Sequence, residues 1–171
     1  PVNTVAIAAL DPVVTSTPES LRFESFSGCC SAYARLDVTD LDAESQQSGV
    51  TNVDINIPLR EALAGVTPGA PLHLNVADDA LYVTTMDNTL EEKKVKLPLR
   101  WVKGLAESQR ISASMTLQQE LSGPQAKKFI ASLPGASSPK AVMWATSALR
   151  NLRLASKPSP GAVCLAGPER L

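Results

Sequence analysis

Ile55-Asn56-Ile57-Pro58-Leu59-Arg60-Glu61-Ala62-Leu63 reads as a strand that runs into a short helix. Val53, Ile55 and Ile57 alternate with Asp54 and Asn56, the pattern of a half-buried strand. Pro58 ends that ladder and suits the first turn of a helix, which the spacing extends over Leu59 to Val66. The same unit recurs. Ser114-Met115-Thr116-Leu117 precedes Ser122-Gly123-Pro124 and a helix through Leu133. Val163-Cys164-Leu165 precedes Gly167-Pro168-Glu169-Arg170-Leu171. Pro58 and Pro168 stand 110 positions apart, a domain-sized period.

Outward from that unit, short strands and tight turns dominate. Leu21 to Phe26 alternates, and Cys30 to Val38 alternates again after Ser27-Gly28, so the two predict a hairpin. Further strands are expected at Leu72–Val76, Leu81–Thr85 and Glu91–Leu97, with a turn at Asp78-Asp79. Asp11-Pro12, Thr17-Pro18 and Asp40 to Gly49 read as loops. Thr4–Leu10 fits a helix or a strand equally. Leu99 to Arg110 carries a helical stripe interrupted by Gly104 and reads as a connector. Beyond it, strands are expected at Ser112–Leu117, Ala141–Trp144, Leu149–Ala155 and Val163–Leu165. Ser122 caps a helix over Gln125–Leu133, with Ala126, Phe129, Ile130 and Leu133 on its apolar face. The fold class is therefore α+β, mainly antiparallel sheet with short helices. A complete domain over 1–105 and a partial second one over 106–171 follow from the repeat. A one-turn helix at the C-terminus is unstable alone, so a fragment of a longer chain is expected.

The 171 residues carry 44% hydrophobic side chains, enough for a packed core, and a net charge of −1. That charge is unevenly distributed. Residues 1–92 hold three basic and 14 acidic side chains, a net of −11. Residues 93–171 hold 13 basic and three acidic ones, a net of +10. Such asymmetry points to a polyanion partner for the basic half, or to one half meeting the other.

Catalytic and metal chemistry find little support. His73 is the single histidine and sits on the polar side of Leu72-His73-Leu74-Asn75-Val76. No nucleophile elbow, phosphate loop or C-x-x-C pair occurs. Cys29, Cys30 and Cys164 read as reduced thiols of a cytoplasmic protein, with a redox pair at Cys29-Cys30 as the alternative. No apolar run is long enough to span a bilayer, so no membrane partner is expected. Aromatics make up 4% of the chain, too few for base stacking to dominate binding. The expectation is a non-enzyme without a cofactor.

The order of strand–helix units resembles the DNA sliding clamp family, in which each domain holds two such units joined by antiparallel hairpins. The resemblance covers most of the chain. It makes Thr4–Leu10, Ile55–Val66, Gln125–Leu133 and Gly167–Leu171 the successive helices, and it implies that Lys127 and Lys128, with Arg60 on the preceding helix, face DNA. The acidic excess of residues 1–92 departs from such a surface. Leu97-Pro98-Leu99-Arg100-Trp101-Val102-Lys103-Gly104-Leu105 is similar to a stretch of bacterial proteins that carry a SWIM-type zinc finger elsewhere. The finger's ligands are absent here, so that likeness implies an accessory region and no metal.

The basic residues fall into clusters: Lys93, Lys94, Lys96, Arg100 and Lys103; Lys127, Lys128 and Lys140; Arg150, Arg153 and Lys157. The candidate contacts to a phosphate backbone are Lys127, Lys128, Arg150, Arg153, Lys103 and Arg100, binding without sequence preference. The alternative is a protein-interaction or self-association module with complementary acidic and basic halves.

Overall fold

The computed structural model describes residues 11–26, 30, 33–41, 48–133, 143–148, 151–160 and 162–165. The fold is α+β with antiparallel sheets and short helices. The chain divides into two compact units, Pro1–Leu105 and Ala106–Leu171.

In the first unit, β1 (Val13–Ser16), β2 (Leu21–Phe26), β3 (Tyr33–Val38) and β4 (Gly49–Asn52) form a sheet in the order β3-β2-β1-β4. A second sheet orders β5 (His73–Val76), β6 (Ala80–Thr84) and β7 (Thr89–Lys93) in sequence. Register fixes which side chains meet. Thr51, Val14, Phe23 and Leu36 lie across the first sheet on one face, as do Leu21 and Val38. Leu74, Val83 and Leu90 form one row of the second sheet, with Val76 and Leu81 beside them on the same face. These two faces supply one core of Val14, Leu21, Val53, Val76, Leu81 and Val83, and Leu59 is buried in it too. Gly49 belongs there because a Cβ would lie 2.3 Å from the Val76 carbonyl oxygen. The strands approach too closely for any side chain.

Leu59 anchors α1 (Ile57–Ala64). Asn56 caps that helix by accepting from Leu59 N–H at 3.0 Å, and its own amide donates to Glu92 at 2.6 Å. That cap explains a departure from the expected strand over Val53–Ile57. The ladder of β4 ends at Asn52, Val53 makes an isolated bridge to Lys94, and Asn56 has already left for the helix. The expected last strand shifts likewise, from Glu91–Leu97 to Thr89–Lys93. β1 falls where the sequence reads as a loop marked by Asp11-Pro12 and Thr17-Pro18. It is a short strand between two prolines, and it holds an interior place in the sheet.

The expected connector at Leu99–Arg110 is instead α2 (Leu99–Ser112). Gly104 interrupts nothing. A Cβ there would sit 3.0 Å from the Phe26 ring, so its absence lets the helix press onto the outer face of the first sheet. Trp101, 1% exposed, meets Phe26 edge-on with ring centres 5.7 Å apart, and Phe26 lies 5.2 Å from Tyr33. Glu24, buried on that face, accepts from the Tyr33 hydroxyl at 2.5 Å.

In the second unit, β8 (Met143–Ala148), β9 (Asn151–Ala155) and β10 (Val163–Leu165) form a sheet in the order β10-β8-β9. α3 (Gly123–Ala131) packs against β9. The expected strand at Ser112–Leu117 does not form. The hydroxyls of Ser112 and Ser114 donate back to the carbonyls of Gln109 and Ile111, which draws the chain into the end of α2. The expected helices at Thr4–Leu10 and Gly167–Leu171 lie outside the described residues. No helix among the described residues is long and apolar enough to cross a membrane.

Candidate nucleic-acid interface

Cations serve a polyanion only when they are exposed and unneutralised, and the two ends of the chain differ in this. Arg22 and Arg35 both bind Asp37, at 2.7 and 2.6 Å. Hydrogen bonds from Arg22 first, then Arg35, hold the Asp37 carboxyl below its usual range. Two of the three basic residues before position 93 are thus committed inside their own sheet. Among the described residues these are the ion pairs that form. Lys127, Lys128, Arg153, Arg100 and Lys103 make none, and all five are exposed.

Lys127 and Lys128 lie on α3. Its capping box puts the Gln125 side chain against the Ser122 backbone N–H at 2.9 Å, and Pro124 stands in the first turn. Ala126, Phe129 and Leu133 are partly buried. Ile130, expected on the same stripe, is 64% exposed. The arc that carries Lys127 and Ile130 therefore faces solvent, with Lys128 at its margin. Gln125 donates to Asn151 at 3.1 Å, which ties α3 to β9 two residues before Arg153. Alternation along β9 puts Asn151 and Arg153 on one face of the strand and Leu152 and Leu154 on the other. The second unit thus brings Lys127, Lys128 and Arg153 onto adjacent elements. Arg150 lies outside the described residues.

Arg100 and Lys103 belong to the first unit and sit one turn apart on α2, away from Trp101. Lys94, in the same cluster, donates to the Asp78 carbonyl at 3.0 Å and so is partly engaged. Asn151, an exposed amide beside Arg153, was not singled out by sequence; once β9 is placed, the period of two reveals it.

Three aromatic side chains of the first unit are committed to packing. Trp101 is buried with the Phe26 ring edge-on to it, and Tyr33 lies tilted against Phe26. A surface of this kind supplies charges and amide donors to phosphate oxygens, and the β8–β9 register sets half-buried Trp144 on the same face as Arg153. Other chemistry is sparse. His73 is exposed, Cys30 is a free thiol, and Cys29 lies outside the described residues. Among the described residues no three His, Cys, Asp or Glu side chains converge to hold a metal. The groove at the end of α1, lined by Glu61, Gly65, Pro71, Thr85 and Asp87, carries acidic side chains and no basic one. No protein-family model matches the chain, and no curated protein matches it.

Proposed function

We infer that this chain is a non-enzymatic, DNA-associated module that grips the phosphate backbone without reading sequence. Lys127, Lys128 and Arg153 make the principal contacts and Arg150 adds to them, while Arg100 and Lys103 are candidate contacts of the first unit. The observation that carries this reading is the set of exposed cations on α3 and β9 that form no ion pair among the described residues. They belong to a stretch, 106–171, whose sequence sums to +5. A clamp-like layout is part of the proposal, and the run of β4 into α1 between antiparallel hairpins supports it.

Fluorescence anisotropy with two duplexes of unrelated sequence tests this. Equal affinities are expected, with log Kd rising linearly with log salt. Lys127→Ala with Lys128→Ala lowers the salt slope by about 1.8, at ~0.9 per phosphate contact. Absence of DNA affinity at low salt overturns the reading. Residues 1–105 sum to −6, which favours a second reading, an assembly module whose oppositely charged units meet between copies. Salt-sensitive self-association without DNA affinity is its signature.

A further inference from the structure

β3 is a terminal strand of the first sheet, and no described strand pairs with its outer edge. The opposite edge differs, because β4 is continued by the Val53–Lys94 bridge and by Val95 N–H donating to the Asn52 carbonyl. An open edge is a template for another strand, and proteins usually blunt it with charged side chains, proline or a bulge. Tyr33-Ala34-Arg35-Leu36-Asp37-Val38 has no proline and no bulge, and its two charges pair with each other. Its central residues Arg35, Leu36 and Asp37 are exposed, and its two charges are of opposite sign. The apolar row Val14–Phe23–Leu36 runs from a fully buried valine to a leucine 58% exposed at the margin. The core face of the sheet therefore continues past the point where its own fold covers it.

We propose that the β3 edge pairs antiparallel with β3 of a second copy of this chain, centred on Leu36. Register makes the second copy the specific occupant. In a two-fold antiparallel pair, opposed residues share the same parity, so the axis passes through a residue position. An axis at Arg35 sets arginine on arginine, and one at Asp37 sets aspartate on aspartate. An axis at Leu36 sets leucine on leucine. It also places each Arg35, already bound to Asp37 of its own strand, opposite the partner copy's Asp37, so the two intrachain pairs meet with opposite charges facing, and each Ala34 opposite its Val38. Only this register joins apolar to apolar and cation to anion at every central position. The four-stranded sheet then doubles into one continuous sheet.

Sedimentation of the full chain over a concentration series tests the proposal. A dimer is expected to be visible at about 100 µM, since a single strand pair lies at the weak end of interfaces. Leu36→Lys puts like charges on the axis and weakens association at least tenfold, while the circular-dichroism melt stays in place because the side chain is exposed. Leu36→Cys is expected to cross-link into a covalent dimer under mild oxidation, well above wild type. Val38→Cys does not, because that position faces Ala34 rather than itself. A monomer at every concentration, a dimer indifferent to Leu36→Lys, or equal cross-linking at 36 and 38 overturns the proposal. Association that salt abolishes and Leu36→Lys leaves unchanged also overturns it, since that belongs to the oppositely charged units. DNA affinity is measured separately, so failure of one reading leaves the other standing or falling on its own result.

Discussion

Asp11 shows how one residue can hold a fold slightly below its best stability. Val13 pairs with Asn52 in the β1–β4 ladder, and Val53 N–H donates to the Pro12 carbonyl at 3.3 Å. One step further along that register sets Asp11 opposite Asp54. Two carboxylates across a strand pair repel when both are ionised. Burial first, then the Asp54 charge and a hydrogen bond to Asp54, raise the Asp11 carboxyl above its usual range. Between the ordinary carboxylate value and the raised one, the native state therefore holds a proton that the unfolded chain has released. Stability is lost as pH rises from the ordinary carboxylate value through the raised one, and the cost persists at neutral pH. Asp11→Asn is expected to raise stability at pH 7 by less than about 1 kcal/mol, because both carboxylates are only partly buried and solvent screens their repulsion. That gain should shrink to nothing as pH falls below about 4. Urea unfolding at the two pH values measures it, and a gain independent of pH would contradict the pairing.

At the scale of elements, α2 separates what sequence pattern reveals from what it hides. The β2–β3 hairpin and α1 were legible, because alternation and a proline-started helix are local signals. So was α3, because Ser122, Pro124 and Gln125 declare its start. α2 was not, because Gly104 is a poor helix former and its value lies in a tertiary contact with Phe26. β1 escaped for a similar reason, as four residues between prolines carry little pattern of their own. The candidate site was legible in part. Charge asymmetry located its lysines and arginines, but the alliance of α3 with β9 rests on a long-range bond from Gln125 to Asn151. If the Trp101–Phe26 contact holds α2, Trp101→Ala should cost about 3–5 kcal/mol. Gly104→Val should cost about 1–3 kcal/mol, with its better helix propensity offsetting little of the overpacking. Thermal melts followed at 222 nm give both values. A neutral Gly104→Val would mean that the helix does not lie against the ring.

At the scale of the whole molecule, the two units differ in how much they bury. Among the described residues, Ala145 is the one buried apolar side chain beyond Trp101, whereas the first unit packs valines and leucines from both of its sheets. In the second unit Met115, Leu117 and Ile130 stay more than half exposed. Local stability follows buried apolar contact, so the second unit should open more often than the first. Hydrogen exchange read by mass spectrometry should find the amides of β8 and β9 exchanging faster than those of β1, β2 and β6. The difference bears on function, because a ligand that binds only the folded form protects the element that holds it by mass action. If Lys127, Lys128 and Arg153 grip DNA, duplex at a hundred times its Kd should slow exchange in β8 and β9 about 100-fold. β1, β2 and β6 should scarcely change. Raising the salt should return β8 and β9 to their DNA-free rates, since phosphate contacts are lost with counterion competition. Uniform protection of both units would place the contacts elsewhere. Protection of the first unit alone would remove the basic face of α3 and β9 from consideration.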